Sequence, residues 1–251
     1  MWSEETAIAL LSWLMLCSAA ATAGALLFTG MTAGYGRYAE SGQLSMPARL
    51  GWFIQEAPAF AIPFYFLIFH SSNTIGQAIL GMMILHYFQR TFVYPVLMAT
   101  SKPSPVKIVA SAVVFCMWNG YIQGAFHAKY ASYDAGYDMS MRFYGGVALF
   151  LTGWLINLHS DHVLQNLRKP GEMGYKIPRG GFFEYVSCAN YFGECIEWTG
   201  YALAAQSLPA VAFAVFTWAN IGPRALQHHK WYQEKFDNYP RSRKALTPFV
   251  I

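Results

Sequence analysis

Apolar runs close to the roughly 20 residues that cross a bilayer as a helix recur seven times along the chain, at 6–29, 50–70, 74–99, 106–126, 143–165, 182–205 and 208–232. The last two are joined by the short turn Ser207-Leu208-Pro209. This pattern predicts an all-α integral membrane protein of seven transmembrane helices. The first run follows Glu4 and Glu5 instead of a basic stretch and is too long for a signal-peptide core, so it reads as a retained helix. No internal repeat or linker divides the chain, which predicts a single membrane domain over 1–251.

Polar residues interrupt the later runs at helical spacing. Asn157, Asp161, Gln165 and Arg168 advance by four, four and three, which stacks them on one face of the fifth expected helix. Asn190, Glu194 and Glu197 do the same on the sixth, and Arg224, His228 and Tyr232 on the seventh. Lipid cannot receive such stripes cheaply, so three consecutive helices that each carry one predict a shared cavity. Between the fifth and sixth runs, residues 168–181 hold Arg168, Lys169, Lys176 and Arg179 with four glycines and two prolines. Guanidinium groups and backbone amides in so defined a loop suit a phosphate clamp at the cavity mouth. No GxGxxG follows a strand, so a nucleotide here would not rest on a Rossmann fold.

A second polar group lies in the N-terminal half. Gln55 and Glu56 fall in the opening turns of the second expected helix, and Tyr87 falls inside the third, within His86-Tyr87-Phe88-Gln89-Arg90. Among Trp52, Phe53, Pro58 and Phe60, the Glu56 carboxyl is expected to keep its proton and donate a hydrogen bond. With the Tyr87 hydroxyl it offers two donors, which is what a ketone oxygen needs when negative charge develops on it. Alternatively, Glu56 pairs with Arg90 as a buried ion pair, and the pocket loses its acid.

Composition fits this picture. The chain is 55% hydrophobic, 17% aromatic and 12% charged, whereas soluble domains are about 25% charged. Fourteen of the 17 lysines and arginines fall after the first, third and fifth runs or on the last helix and the tail, leaving Arg90, Lys129 and Arg142 elsewhere. The positive-inside rule then puts the C-terminus in the cytoplasm and the N-terminus outside. The formal charge of +4 therefore reports topology, and with no soluble basic domain to carry it, nucleic acid is excluded as a partner. Cys17, Cys116, Cys188 and Cys195 all fall in expected spans without a CxxC pair, which predicts free thiols and no metal site.

Several motifs together resemble the steroid 5α-reductase family, near its type 2-like members: WFIQE at 52–56, HYFQRTFVYP at 86–95, INLHSDHVLQNLRKPGE at 156–172, CANYFGECIEW at 188–198 and PRSRKALTPF at 240–249. The resemblance runs over almost the whole chain. It implies NADPH-dependent reduction of the Δ4 double bond of 3-oxo-Δ4 steroids to 5α products, in a multi-pass protein of the bacterial inner membrane or the endoplasmic reticulum. Its partners would be a small steroid and the bilayer, with no obligatory protein partner. By the same resemblance Glu56 and Tyr87 are the catalytic pair on the C3 carbonyl, and Gln55, Trp52, Gly34 and Tyr35 shape the steroid pocket. Asn157, Asp161, Arg168, Tyr175, Lys176, Asn190, Glu194, Arg224, His228 and Tyr232 would hold NADPH, with Arg243 and Lys102 near its phosphates. Residues 1–130 would serve mainly substrate and 131–251 mainly cofactor. The chain departs from the family pattern at Lys102 and Lys176, where arginine is expected, and at Gln227, within what is usually a histidine run.

Two other classes compete. A membrane reductase of another lipid enone or a polyprenol, or an isoprenylcysteine-type methyltransferase, would share the C-terminal architecture, but the Glu56 and Tyr87 pair favours the 3-oxo steroid. A transporter or receptor would also bury polar groups, yet transporters typically show broken helices in corresponding repeats, and none is apparent in the sequence.

Overall fold

The computed structural model describes residues 2–32, 34, 38, 42–71, 73–98, 102–168, 172 and 174–250, with the backbone only at 139. Among these, seven long helices stand where the seven apolar runs lie. Four open on a side chain that takes up a free N-terminal amide. Ser3 accepts from Thr6 N–H at 3.1 Å ahead of α1 (Glu4–Phe28). Asn73 accepts from Gly76 N–H at 2.5 Å ahead of α3, which begins as Thr74–Phe88, takes a π-helical turn at Gln89–Val93 and ends as Tyr94–Leu97. Ser140 accepts from Phe143 N–H at 3.1 Å ahead of α5 (Met141–Gln165), and Ser207 from Ala210 N–H at 3.3 Å ahead of α7 (Leu208–Lys235). The others are α2 (Ala48–His70), α4 (Val106–Tyr130) and α6 (Ala189–Ala205). A two-residue antiparallel ladder, β1 (Ser45–Met46) with β2 (Ser104–Pro105), ties the entries to α2 and α4 together.

Three helices, α1, α2 and α4, are long and apolar enough to cross a membrane by length and composition. Their outward faces carry exposed Leu10, Trp13, Leu14, Phe64, Ile68 and Val114, which suits lipid as the surrounding solvent.

The helices pack chiefly as α5 on α6, α2 on α4, α1 on α7 and α6 on α7. Small residues set the first of these contacts. A Cβ added to Gly153 would strike the Glu197 backbone nitrogen, one on Gly200 the Phe150 nitrogen, one on Gly146 the Ala204 nitrogen, and one on Gly193 the Asn157 nitrogen. Backbone therefore lies on backbone along the whole α5–α6 seam, as small residues permit between membrane helices. The main core, including Met15, Ile79, Met83, Ile122, Phe150, Trp198 and Phe213, joins both halves of the chain.

Two expectations are corrected. The sixth helix begins at Ala189, seven residues later than the apolar run, because residues 181–188 are claimed by other bonds. Gly181–Glu184 forms a 3₁₀ turn, and Ser187 N–H and Cys188 N–H donate to the carbonyls of Lys244 and Ala245 in the C-terminal tail at 2.8 and 3.2 Å. The fifth helix ends at Gln165, so Arg168 lies beyond the stripe it was expected to extend. Asn166 closes that helix, its side-chain amide and its backbone N–H both donating to the His162 carbonyl, at 2.8 and 3.1 Å.

Candidate functional site

The polar groups of both halves meet at one end of the bundle, where α2 and α6 begin and α3, α5 and α7 end. On α2, Trp52 donates its indole N–H to the Arg90 carbonyl at 3.1 Å, and Gln55 donates its amide to Glu56 Oε1 at 3.0 Å. Glu56 is half-buried. On α3, Tyr87 is buried at 5% exposure, within electrostatic reach of both Glu56 and Glu194. The expected donor pair thus lies within electrostatic reach of each other, and Glu194 of the α6 polar stripe lies within reach of Tyr87 as well.

Arg90 is the connecting side chain. It lies on the π turn of α3, a distortion often found at functional sites, with its guanidinium 4.6 Å from the ring of Trp52 and 4.4 Å from that of Tyr94. Its Nη1 meets Asp161 Oδ2 on α5 at 2.7 Å, and both side chains are nearly buried. Arg90 therefore neutralises Asp161 of the α5 polar stripe, and its ion-pair partner is Asp161, not Glu56. One helical turn back, His86 Nδ1 and Glu197 Oε1 on α6 lie 2.7 Å apart, both buried. Between α3 and α5 a cavity of 390 Å³, lined by Phe88, Gln89, Val93, Trp154, Leu158 and Asp161 among others, opens beside the Arg90–Asp161 pair.

The other expected cofactor residues are spread around this centre. Asn157 is buried, donates its amide to the Asn190 carbonyl at 3.0 Å and leaves its Oδ1 without a partner. Asn190 also hydrogen-bonds Asp161. His228 stacks with Tyr38 at 5.6 Å and lies 5.9 Å from the Tyr191 ring. Arg224 is half-buried one turn earlier on α7, and Tyr232 is buried in a stack with Phe236 and Tyr239. Arg168 is exposed and donates to the Gly174 carbonyl at 3.4 Å, Lys176 pairs with Glu172, and Tyr175 meets Trp231 edge-on at 4.9 Å. Lys102 is exposed in the segment before β2. Arg243 is 1% exposed, and its guanidinium is engaged in donating to the Pro178 carbonyl at 2.9 Å and meeting Glu184 at 3.4 Å, so its charge anchors the tail. Gly34 is half-buried with open space where a Cβ would stand. Tyr35 lies outside the described residues, as do Lys169, Pro170, Gly171 and Met173 of the basic loop.

His86, Arg90 and Gln227 do more here than their motifs suggested. Gln227, the departure from a histidine run, donates to the carbonyls of Leu26 and Met31 at 3.2 and 2.8 Å and so ties α7 to the end of α1. For His86 and Arg90 the available signal was their spacing of four on α3, which puts both on one face.

A family model described as 3-oxo-5-alpha-steroid 4-dehydrogenase matches residues 102–251. The chain is 50% identical over 222 residues to 3-oxo-5-alpha-steroid 4-dehydrogenase 1 of Rattus norvegicus, covering 86% of each. It is 47% identical over 235 residues to 3-oxo-5-alpha-steroid 4-dehydrogenase 2 of Homo sapiens, covering 91% of this chain and 92% of the relative. The chain belongs to the 3-oxo-5-alpha-steroid 4-dehydrogenase family. It is accordingly an oxidoreductase, and its apolar helices suit the membrane. Aligned stretches of this length take in both parts of the site, the Glu56 and Tyr87 pair as well as the Asn157–Glu197 segment.

Proposed function

We propose that the protein reduces the Δ4 double bond of 3-oxo-Δ4 steroids to 5α-reduced 3-oxo steroids with NADPH. Seven helices would cross the membrane, the three with polar stripes as well as α1 to α4, with the N-terminus outside and the basic loops and C-terminus in the cytoplasm. What supports the reading most is that Glu56 and Glu194 both lie within electrostatic reach of Tyr87, on a helix that the 2.7 Å Arg90–Asp161 pair ties to the α5 polar stripe.

The residues on the stripe side fit a nicotinamide dinucleotide. Asn157 Oδ1 is a buried acceptor without a partner, as a carboxamide or ribose hydroxyl requires. Arg168, Lys176 and Lys102 stand exposed where phosphates would lie, and Tyr175 with Trp231 presents an aromatic edge for a base. NADPH bound there would supply a hydride to the double bond.

The chain's own side chains do the rest. Glu56 and Tyr87 would hydrogen-bond the C3 carbonyl and stabilise the charge that moves onto its oxygen when C5 is reduced, the enolate then taking a proton at C4 that comes ultimately from bulk water. Trp52 and Gln55 would fix the pocket wall, and Gln55, by donating to Glu56 Oε1, leaves the other carboxyl oxygen to face the ketone. Apolar walls from α2 and α3 would exclude water.

The test is incubation of membranes containing the protein with NADPH deuterated at nicotinamide C4 and a panel of 3-oxo-Δ4 steroids. The expected product is the 5α isomer labelled at C5. A 5β product, label at C4, or no consumption of any steroid would contradict the reading.

A further inference from the structure

We propose that His86 and Glu197 form a positioning pair that sets how far the bound steroid lies from the bound cofactor. The inference rests on the steroid-reductase reading and adds two residues to which that reading gives no role.

The two side chains join opposite halves of the site. His86 precedes Tyr87, the proposed steroid donor, on α3, and Glu197 follows Glu194, of the cofactor stripe, by one turn on the same face of α6. Their contact spans 111 residues of sequence at 2.7 Å, with His86 3% and Glu197 0% exposed. The imidazole is held in place on its other sides as well. Its ring centroid lies 5.0 Å from Tyr87 and 4.7 Å from Trp198, both edge-to-face. Glu197 has equally little freedom, because its backbone nitrogen lies against Gly153 of α5.

Stability alone does not call for this pair. Phenylalanine and leucine at these positions would pack without desolvating two polar side chains, and replacing buried pairs by apolar groups is often neutral or stabilising. The Glu197 carboxyl even leaves Oε2 buried and without a partner. What a hydrogen bond supplies and apolar packing lacks is direction: it resists sliding and rotation of α3 over α6. The Arg90–Asp161 pair, one turn along α3, does the same against α5. Two ties a turn apart hold the helix carrying Tyr87 in one register on the slab that would carry the cofactor. Reacting atoms must approach to about 3–3.5 Å, and a misplacement of about 1 Å can cost a hundredfold in rate.

The experiment compares His86→Phe, Glu197→Leu, the double variant and Glu197→Gln as purified proteins. Each single variant is expected to lower kcat about tenfold to a hundredfold, with the KM for steroid and the Kd for NADPH within about threefold of wild type. The double variant should be no worse than the poorer single, as coupled residues require. Glu197→Gln keeps an oxygen that accepts from His86 Nδ1–H and should restore most of kcat. Unchanged kcat per folded molecule, a loss confined to KM, additive effects in the double variant, or failure of the Gln rescue would each overturn the proposal. A second readout does not depend on turnover. Spin labels on Leu85→Cys and Leu203→Cys, both exposed, in a Cys17→Ser background should give a narrow α3–α6 distance that broadens with His86→Phe. An unbroadened distance overturns the positioning pair even if the wild-type protein reduces no steroid. Absence of wild-type turnover alone counts against the reductase reading and leaves the distance to decide the pair.

Discussion

The two halves of the molecule are assembled by different means. From α5 to α6 the contact is made by glycine, with Gly146, Gly153, Gly193 and Gly200 each letting one backbone touch the other. From α2 to α4 and α3 large side chains make most of it, although Gly120 of α4 also lets the Pro58 carbonyl of α2 come close. Gly124 is filled by the ring of Phe66, and Phe60 sits against Phe64, Phe88 and Phe92 at 5.1 to 6.1 Å. A backbone-to-backbone seam leaves no side-chain rotamers to adjust, whereas an aromatic cluster can repack at modest cost. The difference suits the proposed division of labour, a rigid slab holding the cofactor and a more adaptable wall for the steroid.

The largest expected effect breaks the slab. Gly153→Leu drives four carbons into the α6 backbone at Glu197 and should cost on the order of 3 kcal/mol or more. It should be read as loss of the monodisperse, NADPH-retaining species in detergent, whereas Gly81→Ala on α3, with nothing within 4 Å, should be silent. Retention of fold and cofactor in Gly153→Leu would refute the rigid-seam account.

Next comes the link between the halves. Asp161→Ala removes the partner of a nearly buried Arg90, and an uncompensated buried charge costs about 3–5 kcal/mol. NADPH affinity measured by fluorescence should fall at least tenfold. If steroid affinity collapses while nucleotide binding is unchanged, the two sites are exchanged.

The smallest effect concerns the tail. Glu184 accepts from Gly180 N–H at 2.7 Å and lies beside Arg243 and Arg179 at 3.4 and 3.7 Å. The amide first, and then the two cations, hold its carboxyl below the ordinary glutamate range. A depressed carboxyl contributes stability that is present above the unfolded value and is lost as pH falls through the folded one. Its side chain is 45% exposed, so the contribution is small. Limited proteolysis should release the tail faster only once pH drops below the ordinary carboxylate range, and Glu184→Gln should remove that dependence. An unchanged profile in Glu184→Gln would contradict the clamp.

The number and order of helices were legible because each is encoded by a local apolar run, and the Asn157–Asp161 and Asn190–Glu194 faces because helical spacing is local too. What the sequence left hidden was set by distant partners. Residues 182–188 read as the start of a helix, but a 3₁₀ turn takes their first residues and the tail carbonyls of Lys244 and Ala245 claim the amides of Ser187 and Cys188. The alternative that paired Arg90 with Glu56, 34 positions away, fails because its partner Asp161 lies 71 positions along the chain. Arg243 was expected near the cofactor phosphates, and its guanidinium is engaged with Pro178 and Glu184. Periodicity reports which face a residue occupies and is silent on which other face it meets.

The central claim is that Glu56 and Tyr87 act on the substrate's carbonyl and leave the cofactor to the other half. Single-turnover steroid reduction and NADPH affinity, measured together for Glu56→Gln and Tyr87→Phe, test it most directly. Reduction is expected to be slower by about a hundredfold or more in each variant, with NADPH affinity within about twofold of wild type. Near-normal reduction in both variants would contradict it.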